Sequence, residues 1–403
     1  MKFTKQEISN TFKIVTSNSV SKLGDILFDY VNSVWLSKLG SGSFWMAIYQ
    51  SSETFIGIFV NLIGGVLSDF KNRQNIIWLC DTLSGILCII LSLFIPNSIF
   101  LYAIIFVNLA LAILSSIRDP AYKAIFTEIV AKEKIGRVNS ILETFKQIIK
   151  IAGPSVSMLI SKFADNKMAL LLDGLSFIIS GVLIKYLNLL IKDNHLNFEK
   201  KKQNNFQKIK EGFNYLVKEK QILFIILFAS IINFVLAGYE LILPFANFAF
   251  TKYSYALFLT AQSIGGLLGA AVSNIGKHQP TNNLLFFWII CSGISLLFVN
   301  PAYQITNIIM VSAIFIAIFN FFISIFNIQF MTFVQIKTSS EFIGRIFSIV
   351  FTVAIIFAPI GTFFFQSIFN VKQGIDYTYF GILLIIISGL AIVIGIIKNY
   401  KEY

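Results

Sequence analysis

Hydrophobic residues run through this chain in long, nearly unbroken stretches, and polar residues gather in the gaps between them. Twelve such stretches lie near 12–38, 44–69, 74–95, 98–119, 139–163, 167–191, 220–243, 253–276, 283–300, 303–335, 342–368 and 375–398. Each is roughly 20 residues or longer, which as a helix covers a hydrocarbon core of about 30 Å. No strand is needed to explain any of them. Most gaps are as short as Pro96-Asn97 or Asn300-Pro301, so consecutive helices are expected to be antiparallel neighbours. The predicted fold class is an all-α membrane protein with twelve transmembrane helices in two pseudo-symmetric six-helix bundles.

The one long polar stretch runs from Lys192 to Lys220 and contains Lys200-Lys201-Lys202. It divides the chain into an N-terminal bundle, 1–191, a cytoplasmic linker, 192–219, and a C-terminal bundle, 220–403. Phe206, Ile209, Phe213, Leu216 and Val217 fall on one helical face of its second part, with lysines opposite. Two readings of this part stand side by side: a helix lying on the inner membrane surface, and a solvated linker.

An eight-residue phrase occurs twice. Glu133-Lys134-Ile135-Gly136-Arg137-Val138-Asn139-Ser140 returns as Glu341-Phe342-Ile343-Gly344-Arg345-Ile346-Phe347-Ser348, 208 residues later. Each copy opens a long apolar helix with a proline further along, Pro154 and Pro359. Two similar halves in a membrane protein point to transport by alternating access, with cargo bound between them.

Composition agrees with this. The chain is 56% hydrophobic and 13% charged, with a mean hydropathy of +0.77, whereas a soluble domain averages about 25% charged residues. The net charge of +12 follows topology and not nucleic-acid binding. Lys and Arg concentrate in alternate connections: Lys71 and Arg73, Lys123 to Arg137, Lys192 to Lys220, and Lys337 with Arg345. The positive-inside rule then puts both termini in the cytoplasm. Met1 to Asn10 carry Lys2, Lys5 and Glu7 and do not read as a cleavable signal peptide. Cys80, Cys88 and Cys291 all fall inside predicted spans and read as small apolar side chains, not a disulfide or metal framework.

After the second stretch comes Gly64-Gly65-Val66-Leu67-Ser68-Asp69-Phe70-Lys71-Asn72-Arg73. It resembles the Gly-x-Leu-x-Asp-x-x-x-Arg loop of the major facilitator superfamily, between spans 2 and 3. In that resemblance the glycine lets two helices approach closely, and the acid and arginine form charge pairs that hold the cytoplasmic side shut. The gating set is then Gly65, Asp69, Arg73, Asp81, Arg137 and Arg345, with Asp81 a partner for the loop. The second-half counterpart, Ser273-Asn274-Ile275-Gly276-Lys277, has no acid, which implies asymmetric gating. Gly153-Pro154 resembles the exporter-associated motif of span 5, although Ser155-Val156-Ser157-Met158 supplies fewer glycines than the full pattern. Gly153, Pro154 and Pro359 are the expected hinge. Leu111 stands where the family's span-4 motif has arginine, and Arg118 with Asp119 is expected to tie the inner end of that span to a loop. Arg118-Asp119-Pro120-Ala121, Glu211-Gly212, Leu243-Pro244-Phe245 and Gly344-Arg345-Ile346-Phe347-Ser348 further resemble the macrolide-efflux type of drug exporter, a drug:proton antiporter group.

The remaining chemistry is charge inside the spans. Asp25 and Asp29 lie in span 1, Glu53 in span 2, and Glu143, Lys146 and Lys150 in span 5. A charge facing lipid near the bilayer centre costs about 3 kcal/mol, so six would cost roughly 18 kcal/mol. They are therefore expected to line a wet cavity or to face one another. Asp25 and Asp29 share a helix face, and two close carboxylates do not both ionise easily. Asp25, Asp29 and Glu53 are the proton-coupling candidates, with Glu143, Lys146 and Lys150 as charge partners. The competing reading is that Lys146 and Lys150 neutralise the acids in static pairs. The second half offers Asn233, Gln262, Phe319, Asn320 and Asn327 as a cargo wall, among phenylalanines that number 43 in the whole chain.

Nothing in the sequence supports an enzyme. His195 and His278 are far apart in polar loops, and no Gly-Lys-Ser/Thr phosphate loop occurs. No cofactor or metal is expected. The expected partners are an amphipathic small-molecule cargo, protons and membrane lipids, with the protein a monomer in a bacterial plasma membrane. The function expected is proton-coupled efflux. Lipid or lysolipid flipping and siderophore or peptide export are alternatives on the same scaffold, and a non-transporting sensor is a distant one.

Overall fold

In the computed structural model, which describes residues 3–63, 72–190, 213–273, 280–338 and 343–398, the apolar stretches are helices. The long ones are α1 (Lys5–Ser37), α2 (Gly42–Ile63), α3 (Arg73–Phe94), α4 (Phe100–Ala124), α5 (Ile135–Ile160) and α6 (Asn166–Lys185) in the first half. In the second they are α7 (Lys220–Ile242), α8 (Ser254–Ser273), α9 (Asn282–Leu297), α10 (Ile309–Lys337), α11 (Ile343–Ile368) and α12 (Ile375–Ile397). No strand occurs among the described residues. Among the described residues, eight helical segments, built on α3, α4, α6 to α10 and α12, are long and apolar enough to cross a membrane. The expected twelve spans are therefore reached only by adding α1, α2, α5 and α11. Of these, α1 and α5 carry the intramembrane charges noted above.

Local chemistry sets the helix ends. Thr4 opens α1 with a reciprocal cap: Glu7 N donates to Thr4 Oγ1 at 3.2 Å, and Thr4 N donates to Glu7 Oε2 at 2.7 Å. Asp165 caps α6 by accepting from Met168 N at 2.8 Å. The last carbonyls of α6, which have no partner within the helix, are met from two other helices. Gln74 of α3 donates to the carbonyls of Ile184, Lys185 and Leu187 at 2.9, 3.0 and 3.1 Å. Lys13 of α1 donates to Tyr186 O at 2.5 Å.

Contacts group the chain into two units, Met1–Leu39 with Phe59–Lys200, and Gly40–Ile58 with Lys201–Tyr403. This differs from halves divided only at the linker, because the first part of α2 joins the second unit. Gln50 donates to Glu240 O at 3.1 Å, and Gln366 lies 3.4 Å from Ser43 Oγ as donor. Most of the expected linker, 191–212, lies outside the described residues.

Within the first unit, α6 packs on α1 and α3, α1 on α5, and α3 on α4. Within the second, α12 packs on α7 and α9, α7 on α11, and α9 on α10. These are the same four adjacencies, and glycines set the same close approaches. A Cβ on Gly85 would stand 2.7 Å from Gly174 O, joining α3 to α6. A Cβ on Gly293 would stand 2.8 Å from Gly381 O, joining α9 to α12. Gly153 of α5 abuts Ile26, and Gly361 of α11 abuts Phe234. Gly85 and Gly293, Gly153 and Gly361, and Ile26 and Phe234 are each 208 residues apart, the offset of the duplicated phrase.

Candidate functional site

Two of the deep charge pairs lie within single helices. The partner of Asp25 is Lys22, one turn earlier on α1, with Nζ 2.8 Å from Oδ2. This pair is half open, at 51% and 25% side-chain exposure. Asp29 and Glu53 are exposed on α1 and α2. Lys146 stands 3.7 Å from Glu143 of its own helix, and Gln147 donates to the same carboxylate at 2.9 Å. The static pairing of Lys146 with the acids of α1 is thus replaced by two pairs within helices, since residues three apart on a helix already meet. Lys150 is exposed on α5.

The gating set is dispersed. Gly65 and Asp69 lie outside the described residues, and so does the side chain of Arg345. Arg73, at the start of α3, donates to Glu128 Oε1 at 2.7 Å. Arg137 places its guanidinium 5.0 Å from the centre of the Phe3 ring. Asp81 is fully buried, and its charge partner among the described residues is Arg118; the loop after α2 lies outside them. Arg118 Nε donates to Asp81 Oδ1 at 2.5 Å, and Ser180 Oγ donates to Asp81 Oδ2 at 2.6 Å. Ser180 Oγ is in turn 2.7 Å from Ser17 Oγ. Arg118, expected to tie the end of span 4 to a loop, reaches sideways among the described residues into a network joining α1, α3, α4 and α6. An unpaired charge there would cost several kcal/mol, so the arginine and the acid stabilise each other. Gly153 and Pro154 are buried within α5, and Pro359 within α11, and each helix continues past its proline.

In the second unit three residues of the expected cargo wall converge on Tyr239 of α7. Gln262 Nε2 of α8 donates to Tyr239 Oη at 2.8 Å. Asn320 of α10 lies near that hydroxyl, and its Nδ2 donates to Ile316 O at 3.2 Å. The Phe319 ring lies 4.7 Å from the Tyr239 ring, centre to centre. Asn233 is half-buried on α7 and Asn327 exposed on α10, and neither joins this cluster in the interactions described. The second half therefore combines one amide-bonded phenol with an aromatic bed that extends through Tyr377 to Phe250 and Phe258.

A cavity of about 310 Å³ opens between α1 and α5 of the first unit. Phe12, Val15, Ile141 and Phe145 give it an apolar wall, and Thr11, Thr16 and Ser19 add hydroxyls. Thr11 Oγ1 and Ser19 Oγ have no hydrogen-bond partner among the described residues.

Residues 27–362 match the Major Facilitator Superfamily. This chain belongs to that superfamily. A relative from Bacillus subtilis (strain 168), the uncharacterised MFS-type transporter YkuC, is 23% identical over 296 residues, covering 70% of this chain and 67% of its own. The fold is shared with solved carriers at low identity. The nucleoside transporter NupG gives a TM-score of 0.71 at 14% identity, covering 96% of this chain and all of its own. A bacterial homologue of the lysosomal transporter Spinster gives 0.70 at 11%, covering both chains fully. A D-xylose–proton symporter gives 0.70 at 12%, covering 96% of this chain and 97% of its own. The protein is thus a multi-pass membrane transporter of the superfamily, a family of carriers and not of enzymes.

For a superfamily carrier, the groups overlooked in the sequence matter as much as those singled out. Lys22 was readable as the cation three residues before Asp25. Asp173 was readable by the rule that picked Asp25, an acid deep in an apolar stretch. It is fully buried in α6, against α1. The link between Asp81 and Arg118 was not readable, because 37 residues and a helix turn-around separate them.

Proposed function

We propose that this carrier exports amphipathic small molecules, macrolide-like or multidrug-like, in exchange for protons. It works by alternating access across a bacterial plasma membrane, with both termini in the cytoplasm. The observation that carries this reading is the half-open Lys22–Asp25 pair in the middle of α1. An ion pair at that depth is costly in hydrocarbon and is retained where water and charge transfer use it. The apolar cavity between α1 and α5 and the amide-and-aromatic cluster around Tyr239 suit a cargo that is greasy with a few polar groups.

One proton crossing 100 mV supplies about 2.3 kcal/mol, and one pH unit adds about 1.4 kcal/mol, enough together for a several-hundred-fold cargo gradient. The test is uptake into inside-out vesicles with an imposed pH gradient, over a panel of macrolides, fluorescent dyes, peptides, siderophores and lysolipids. Gradient-driven movement of macrolides or dyes is expected, and Asp25→Asn is expected to reduce it at least about tenfold. Full gradient-driven transport in each of Asp25→Asn, Asp29→Asn and Glu53→Gln would remove the coupling assignment. Movement of lysolipids alone would replace export with flipping.

A further inference from the structure

Asp173 of the first unit is a buried acid with no ion pair among the described residues. Asp173 is the eighth residue of α6, so it lies about 10 Å along that helix from Asn166 and well inside the span. It is 0% exposed. Ser176 Oγ donates to the backbone carbonyl of Asp173 at 2.7 Å and lies 3.5 Å from Oδ1. Asp173 Oδ2 has no hydrogen-bond partner among the described residues. The helix opposite supplies no side chain at the point of contact. A Cβ on Gly24 of α1 would stand 2.6 Å from Asp173 Oδ1 and would collide with Ser176 Oγ.

The charged groups acting on Asp173 come mainly from α1. They are the carboxylates of Asp25 and Asp29 and the ammonium of Lys22, which is held by Asp25. From α3 it faces the thiol of Cys88. Asp81, the charge on α3 nearer the inner end, is bonded instead to Arg118 and Ser180. Among the described residues no Lys, Arg or His forms an ion pair with Asp173.

The second unit shows that packing does not demand an acid here. Asp173 precedes Gly174, which meets Gly85. Phe380 precedes Gly381, which meets Gly293 in the same way. The fold fills this place with a benzene ring in one half and a carboxyl in the other. Burying a carboxyl without a cation opposes folding, so its presence calls for a use.

We propose that Asp173 is the proton-carrying carboxyl of this carrier, sealed against Gly24 in the arrangement described and opened to water when α1 and α6 part. The cycle balances simply. When the contact opens, the O–H bond breaks, the proton passes to water, and Lys22 turns from Asp25 to meet the new carboxylate. When the contact closes, a proton returns from the other side and Lys22 goes back to Asp25. Asp25 then serves as the keeper of Lys22 and Asp173 as the store of the proton. This rests on the proton-coupled reading above.

The test is independent of cargo. A protonated carboxyl in apolar surroundings adds its O–H across a C=N bond of dicyclohexylcarbodiimide, and the N-acylurea formed by rearrangement is mapped by mass spectrometry of the purified full chain. At about pH 6, Asp173 is expected to carry at least about tenfold more adduct than Asp25, and Asp173→Asn to lose it. Preferential labelling of Asp25 or Asp29, or no adduct at Asp173, would overturn the proposal. In vesicles, Asp173→Asn is expected to lose gradient-driven dye movement and Asp173→Glu to regain it, at an unchanged unfolding midpoint. Full activity in Asp173→Asn would overturn it too. If the wild type moves no compound on a pH gradient, the export reading fails, while the adduct map still decides whether this carboxyl stores a proton.

Discussion

Glu7 shows how one side chain fixes the start of this protein. It closes the cap of α1 and then reaches across to the segment before α5. Lys134 Nζ donates to its Oε2 at 2.6 Å, and Ala131 N donates to its Oε1 at 3.1 Å. The Lys134 hydrogen bond first, then those from the Thr4 and Ala131 amides, hold its carboxyl down at about 2, against an ordinary value of 4.5. A depressed carboxylate contributes stability above its unfolded value and loses it as pH falls toward its folded one. Glu7→Gln is therefore expected to lower the unfolding midpoint at about pH 7 and to match the wild type near pH 2. A midpoint difference that stays constant from pH 7 to about pH 2 would exclude Glu7 as the cause. Sequence alone marked Lys134 as part of a repeated phrase and left Glu7 as a polar start. Their meeting required the 127-residue separation between them to be closed.

At the scale of helices, polar pairs and glycines divide the packing between them. The Asp81–Arg118 pair binds α3 to α4, and Ser180 with Ser17 extends it to α6 and α1. Removing one partner strands the other charge. Asp81→Leu is expected to cost about 3–5 kcal/mol, while the double variant Asp81→Leu, Arg118→Met recovers a large part of it. Thermal unfolding of the two purified variants checks this, and equal losses would show that the pair is not the source. The individual helices were legible in the sequence because a run of apolar residues needs no knowledge of its neighbours. The partners of the charges within them were not. A helix offers several faces, and the residue three places away, Lys22 for Asp25, can take a pair assigned to another helix.

At the scale of the molecule, the duplicated phrase anticipated a duplicated packing plan. Gly85–Gly174 and Gly293–Gly381 make the same backbone contact in the two units. Gly85→Ala and Gly293→Ala each push a Cβ against a backbone carbonyl and are expected to cost about 1–3 kcal/mol by overpacking. Because the two sites share no partner, their effects on unfolding are expected to add within about 0.5 kcal/mol. Marked non-additivity would show that the two glycine contacts are coupled through the rest of the fold. The plan also breaks in an informative place, where Asp173 stands in one unit and Phe380 in the other.

The sequence by itself determined that the chain is a bundle of apolar helices, that its halves repeat at a spacing of 208, and that charge enters the first half more deeply than the second. These follow from local composition and period, which a helix expresses without help. Only the tertiary structure decided which charges are spent on one another. Asp81 is committed to Arg118 and Asp25 to Lys22, while Asp173 lies pressed against a glycine with one oxygen unmatched among the described residues. The physical reason is distance. Electrostatic and hydrogen-bond energies depend on separations of a few ångströms, and those are set by which helix faces meet, a choice that no single stretch of sequence records.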